Sequence, residues 1–231
     1  SQEPAGIKYK TATEIIEIAP NPVNKIFVVL ETSVTNKYDF KILSDECYID
    51  IYFNEKPSSL LQAAMEVNRC FDNILVLHSL SKRSNLPGFR SGCATGDKKI
   101  ISAYSKYRMF HGVSVPLPIQ NASVLAWEDY ETVEDNRALY KEKFKLAEKI
   151  LEKDSLIPEG AFYLWLKVKD SEMFTKKLYN EEKVIVLPGK YLGTKNNGNN
   201  PAEQFLRIAL VHDIKLTSKA LKSIKKIIDN D

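Results

Sequence analysis

Apolar residues fall along the chain in short runs separated by polar clusters, and the spacing within each run predicts an element. Ile15-Ile16-Glu17-Ile18 and Ile26-Phe27-Val28-Val29-Leu30 read as short buried strands, the second short enough to open a helix instead. Phe40-Lys41-Ile42-Leu43-Ser44 reads as a strand ending in the polar cluster Asp45-Glu46-Cys47-Tyr48. Ser58 is placed to cap a helix from Ser59 to about Arg69, with Leu60, Leu61, Ala64, Met65 and Val67 turned inward, and Ile74 to His78 reads as the next strand. Strand, helix and strand in that order predict a right-handed crossover. A parallel sheet would gather the polar strand ends in one crevice.

Helical patterns near Ile100 to Phe110 and Gln120 to Trp127 flank Val115-Pro116-Leu117-Pro118, whose prolines predict a fixed loop. Tyr140, Phe144, Ala147 and Leu151 recur at helical spacing and predict a long helix from about Glu134 to Lys153. Beyond Pro158-Glu159-Gly160, the alternation of Phe162, Leu164 and Leu166 predicts a strand, followed by a helix near Glu172 to Glu181 and a strand over Val184 to Leu187. Gly193 to Pro201 lacks a large apolar anchor and is expected to be a mobile loop. A strand from Phe205 to Val211 and a terminal helix with Ala220, Leu221, Ile224, Ile227 and Ile228 inward complete the chain. The whole predicts an α/β protein: part of a large domain with a mostly parallel sheet over residues 1–138, and a small α/β domain over residues 139–231.

Composition narrows the function classes. Apolar residues at 44% and charged residues at 27% fit a soluble folded protein rather than a disordered or membrane one. The net charge of +3 arises from interleaved signs, which argues against a nucleic-acid or anionic-lipid face. No apolar run approaches bilayer length, and Ser1 to Gly6 lacks the regions of a signal peptide, so the expectation is a cytoplasmic protein. Cys47, Cys70 and Cys93 are odd in number and widely spaced, which fits reduced thiols without zinc spacing. His78, His111 and His212 are too dispersed for a metal site or a triad, so no metal is expected. Nine glycines, fewer than the usual share of about 7% would give, point away from a glycine-rich phosphate loop.

The chemistry concentrates in Ser79-Leu80-Ser81-Lys82-Arg83-Ser84-Asn85-Leu86-Pro87-Gly88-Phe89-Arg90-Ser91-Gly92. The Lys82 amine, at the mouth of a strand, beside small hydroxyls and upstream of a guanidinium, is equipped to hold a phosphorylated aldehyde as a Schiff base, which points to pyridoxal 5'-phosphate. Displaced by a substrate amine, Lys82 becomes the base that moves the substrate proton. Asp45 can supply the carboxylate that keeps a proton on the cofactor's pyridine nitrogen, and Tyr48 and Asn21 can reach its ring oxygen. Ser79, Ser81 and Arg90 are candidates to grip its phosphate. Arg207, inside the apolar Phe205-Leu206-Arg207-Ile208-Ala209-Leu210-Val211, is expected to need an anion, and an amino acid's α-carboxylate suits its fork. Simpler roles stand beside these: Asp45 as a helix cap, Tyr48 as a core tyrosine, Asn21 as a turn residue, Arg90 paired with Asp97, and Arg207 paired with Asp213 or Glu203.

These motifs resemble the fold-type I, class I/II pyridoxal-phosphate-dependent aminotransferases, the group around aspartate aminotransferase, and are particularly similar to the succinyldiaminopimelate aminotransferase type. The resemblance runs from about Asn21 to Asp231 and is carried by Ser79 to Lys82, Pro87 to Gly92, Asp45 to Tyr48, and Phe205 to Arg207. It implies that Lys82 forms the Schiff base, Asp45 pairs with the pyridine nitrogen, and Tyr48 and Asn21 contact the ring oxygen. It further implies that Ser79 and Arg90 bind phosphate, that Arg207 binds the substrate carboxylate, and that the protein is a homodimer. The implied reaction passes an amino group from an amino acid such as glutamate to a 2-oxo acid. The family's Asn-Pro-Thr-Gly turn stands here as Asn21-Pro22-Val23-Asn24, and the family's amino-terminal portion has no counterpart in Ser1 to Ile18. Two other readings stay open: a β-lyase using the same cofactor, and a shortened, non-catalytic protein of the same fold.

Overall fold

The protein's structure, a computed structural model, describes residues 40–67, 70–112, 114–154, 156–195 and 198–230. Asn21 and the strands expected at 15–18 and 26–30 lie outside the described residues. Two compact units emerge: one extends to Asp50 and resumes over Lys56–Asp129, and the other takes Ile51–Glu55 and everything from Tyr130 onward.

In the first unit, strands β1 (Ile42–Asp45) and β2 (Ile74–Ser79) pair in parallel with helix α1 (Leu60–Val67) between them in sequence. Ile42, Leu60, Ala63, Ala64, Ile74 and Val76 form their shared core. Of the α1 residues expected inward, Leu60 and Ala64 are buried and Leu61 packs against them, whereas Met65 is exposed and Ala63 takes a core place instead. The cap of α1 falls one residue later than expected: Leu61 N–H donates to Ser59 Oγ at 3.2 Å and Leu60 N–H donates to Glu46 Oε1 at 2.8 Å. Glu46 thus ties the end of β1 to the start of α1. After the single turn α2 (Leu80–Arg83), strand β3 (Gly92–Gly96) returns antiparallel along β2, which makes the sheet mixed, in the order β1-β2-β3. Its sequence, Gly-Cys-Ala-Thr-Gly, has no large side chain to announce a strand.

Helix α3 (Lys98–Phe110) is capped by Asp97, whose Oδ1 accepts from Lys99 N–H at 2.6 Å. Helix α4 (Leu117–Glu128) begins inside the proline segment expected to be a loop. Pro116 is its cap and Pro118 lies in the first turn, where a missing N–H costs nothing.

The second unit is built on a sheet ordered β4-β6-β5, with β4 (Tyr163–Lys167), β5 (Leu187–Pro188) and β6 (Phe205–Ala209) all antiparallel to their neighbours. Leu164, Leu166, Leu206 and Ile208 point to the buried face. Helices α5 (Glu131–Leu151), α6 (Ser171–Glu182) and α7 (Ile214–Asp229) cover the core with Phe144, Ala147, Phe174, Leu178, Leu221, Ile224 and Ile227. The strand expected over Val184 to Leu187 is displaced: β5 holds only Leu187 and Pro188, and Ile185 is exposed. The expected loop near Gly193 is anchored by a polar residue instead of an apolar one: buried Asn200 donates through Nδ2 to Lys190 O at 2.8 Å. Among the described residues, no helix is long and apolar enough to cross a membrane.

Candidate active site

Because β1 and β2 are parallel, with Asp45 in register with Leu77, their carboxyl ends open on the same side of the sheet. Asp45 Oδ1 accepts the Cys47 N–H at 3.0 Å, which holds the start of the turn that carries Tyr48. Asp45 is therefore engaged in a turn, not in capping a helix from Glu46.

β2 delivers Ser79, whose hydroxyl accepts the Ser81 N–H at 3.1 Å and caps α2, and the Ser79 and Ser81 hydroxyl oxygens lie 2.9 Å apart. Leu80 and Arg83 face inward on this turn, leaving Lys82 half-buried. The Lys82 Nζ stands 5.8 Å from the centre of the Tyr48 ring. The Cys47 thiol feels both neighbouring charges: burial and then the bond and charge of Asp45 push it up to about 12, with Lys82 pulling the other way. It is a neutral thiol at neutral pH and an unsuitable nucleophile.

From α2 the chain closes on itself. Ser84 and Leu86 N–H both donate to Leu80 O, at 3.1 and 3.2 Å, and Leu80 N–H donates to Ser91 O at 3.1 Å. Arg90 adopts a left-handed conformation, φ 50°, and its exposed guanidinium donates to Pro87 O at 2.7 Å. Asp97, considered above as its partner, instead receives Asn73 N–H at 2.8 Å and caps α3. Gly92 passes so close to β2 that a Cβ there would sit 2.5 Å from His78 O.

Behind the turn lies a buried charge cluster that sequence reasoning did not single out. Arg83 is 3% exposed. It donates through Nη1 to Ala126 O at 2.6 Å and through Nη2 to Trp127 O at 2.9 Å, at the carboxyl end of α4. Its Nε lies 3.4 Å from Asp50 Oδ2, which also meets His78 Nε2 at 3.0 Å. Burial alone would raise the Asp50 carboxyl, but His78, Arg83 and Lys56 outweigh it and hold Asp50 below the usual carboxylate range. The only trace of this cluster in the sequence is a second cation directly after Lys82, because its bonds join residues 28 to 44 positions apart.

In the second unit, Arg207 occupies the central strand, with Trp165 opposite it on β4 and Leu187 on β5. Strand alternation sends its apolar neighbours Leu206 and Ile208 inward and Arg207 outward, where its guanidinium lies 5.6 Å from the centre of the Tyr163 ring. The expectation that this cation must find an anion to avoid desolvation therefore does not hold: Arg207 is exposed. Asp213, one acidic partner considered for it, caps α7.

The donor set around Lys82 suits pyridoxal phosphate. It comprises an amine for the aldehyde, two adjacent hydroxyls for phosphate oxygens, and a carboxylate at the end of the neighbouring parallel strand for the ring nitrogen.

Comparison with known proteins agrees with this chemistry. The family described as aminotransferase class I and II matches residues 30–224. An aminotransferase structure from Neisseria meningitidis Z2491 is 40% identical and superposes with a TM-score of 0.82 over 89% of this chain and 54% of its own. The 4-dedimethylamino-4-oxo-anhydrotetracycline transaminase OxyQ of Streptomyces rimosus is 33% identical over 73% of this chain and 46% of its own length. The LL-diaminopimelate aminotransferase of Aquifex aeolicus is 31% identical over 83% and 49%. The chain spans about half the length of these relatives. With its motifs, its α/β fold and its relatives in agreement, the chain belongs to the class I and II aminotransferases, a fold-type I family that depends on pyridoxal phosphate.

Proposed function

We propose that the protein uses pyridoxal phosphate at Lys82 to move an amino group from an amino acid, with glutamate as the donor, to a 2-oxo acid. The observation that carries this reading is the Lys82 Nζ standing 5.8 Å from the Tyr48 ring centre, at the end of a strand parallel to the one that ends in Asp45. When bound, the cofactor supplies an electron sink for the pair left behind as a proton leaves the substrate's α-carbon.

The chain's own groups do the rest. The Lys82 amine takes that proton and returns it. Asp45 holds a proton on the ring nitrogen, and Tyr48 and Asn21 donate to the ring oxygen. The Ser79 and Ser81 hydroxyls orient the phosphate, joined by Arg90 once its guanidinium turns away from Pro87. Arg207 clamps the substrate's α-carboxylate, and its exposed position on the sheet keeps it available to a diffusing anion. The first unit, which ends at Asp129, serves cofactor binding and the second, from Tyr130 on, forms the small domain, in a cytoplasmic homodimer.

The test is spectroscopic. The purified protein mixed with pyridoxal phosphate is expected to gain a visible absorption band that glutamate abolishes and a 2-oxo acid restores. Lys82→Ala should lose the band, and a Lys82→Ala protein with full turnover contradicts the proposal.

A further inference from the structure

Three residues outside the roles assigned above join the two turns that frame the candidate site. Asp50 ends the turn that carries Tyr48, and its Oδ2 lies 3.0 Å from His78 Nε2 and 3.4 Å from Arg83 Nε. The other ring nitrogen of His78, Nδ1, accepts the Ser79 N–H at 2.7 Å. That bond leaves the ring proton on Nε2 and makes Asp50 its acceptor. Ser79 caps α2 and Arg83 is its last residue, so a single carboxylate reaches both ends of the turn that bears Lys82.

The surroundings allow this junction little freedom. Leu80 is 0% exposed beneath the turn. The Trp127 ring meets His78 edge-on at 5.1 Å and lies 5.4 Å from the Arg83 guanidinium. Lys56 adds a further positive charge to the field at Asp50. The Lys82 amine sits at the end of four methylenes, so its reach is set first by where the backbone turn holds its Cα. A shift of about 1 Å in a reacting group costs on the order of a hundredfold in rate.

We propose that Asp50 is a positioning residue for Lys82: by binding His78 and Arg83 together, it sets the separation between the Lys82 amine and the Tyr48 turn. The proposal rests on the cofactor role assigned to Lys82.

Its test compares Asp50→Ala, His78→Asn and His78→Gln in the full chain. Asn can offer an oxygen near the position of Nδ1, and Gln a nitrogen near the position of Nε2, so only Gln retains the link to Asp50. The readout is the rate at which pyridoxal phosphate forms a borohydride-trapped adduct on Lys82, with thermal unfolding followed in parallel. Asp50→Ala and His78→Asn should slow the adduct roughly tenfold or more, while His78→Gln stays within about threefold of the parent.

Folded variants with lowered unfolding temperatures and unchanged adduct rates would assign the cluster a structural role alone and overturn the proposal. If Asp50→Ala does not fold, equal rates for His78→Asn and His78→Gln overturn it. If the parent protein forms no adduct, the cofactor reading falls by itself, and the positioning claim is then read from acetic anhydride labelling of Lys82 relative to exposed Lys98. An unchanged labelling ratio in His78→Asn overturns the claim, and a changed ratio supports it.

Discussion

Arg83 Nη1 donates to the Ala126 carbonyl at 2.6 Å, tying the residue after Lys82 to the end of a helix more than 40 residues away in sequence. A buried guanidinium is tolerable only when its donors are met, and here carbonyls at the end of α4 and the Asp50 carboxylate meet them. Arg83→Met leaves that carboxylate and those carbonyls without the cation. The expected loss is about 3–5 kcal/mol of stability, measured as a lower urea midpoint.

Two glycines of the same motif should behave oppositely. A Cβ at Gly92 would lie 2.5 Å from His78 O, and backbone cannot move aside cheaply, so Gly92→Ala should cost about 1–3 kcal/mol. At Gly88 nothing lies within 4 Å of the added carbon. Gly88→Ala should stay within about 0.5 kcal/mol of the parent in the same urea titration.

Local order was readable wherever it follows from periodicity. Leu60, Ala64, Ile74 and Val76 predicted α1 and β2, and these elements formed with those residues in the core. β3 was not readable, because Gly92 to Gly96 has no apolar alternation and becomes a strand only by pairing with β2. β5 shrank to Leu187 and Pro188 because it pairs with β6 only there, in register with Arg207 and Leu206, while Ile185 stays exposed.

At the candidate site, the sequence pointed to Lys82, Ser79 and Asp45 through motif and strand-end position. It did not pair Asp50 with His78, whose partnership spans 28 residues and exists only once the two turns meet. The reading of Arg207 failed at one step: apolar neighbours in sequence do not bury a strand residue when they face the opposite side.

Glu172 offers a pH test within the second unit. Its carboxylate bonds Lys176 at 2.8 Å and Lys190 at 2.7 Å, and these two ammonium groups hold it at about 2, against 4.5 for a free glutamate. A depressed folded value means that its stabilisation is present above the unfolded value and is lost as pH falls toward about 2. The fall in unfolding midpoint between about pH 7 and about pH 3 should be shallower in Glu172→Gln than in the parent.

Arg207 should separate binding from folding. Exposed on its strand, it can be replaced by Gln with a stability change within about 0.5 kcal/mol. Loss of a charge-assisted clamp should weaken amino-acid binding on the order of 10- to 100-fold. Glutamate titration of the cofactor band, set beside a thermal melt of the same variant, gives both numbers.

Peptide mapping of the protein after incubation with pyridoxal phosphate and reduction with borohydride tests the account most directly. A single stoichiometric adduct on the peptide that contains Lys82, absent from Lys82→Ala, is the predicted result. Modification scattered over exposed lysines, with Lys82 unmodified, would contradict it.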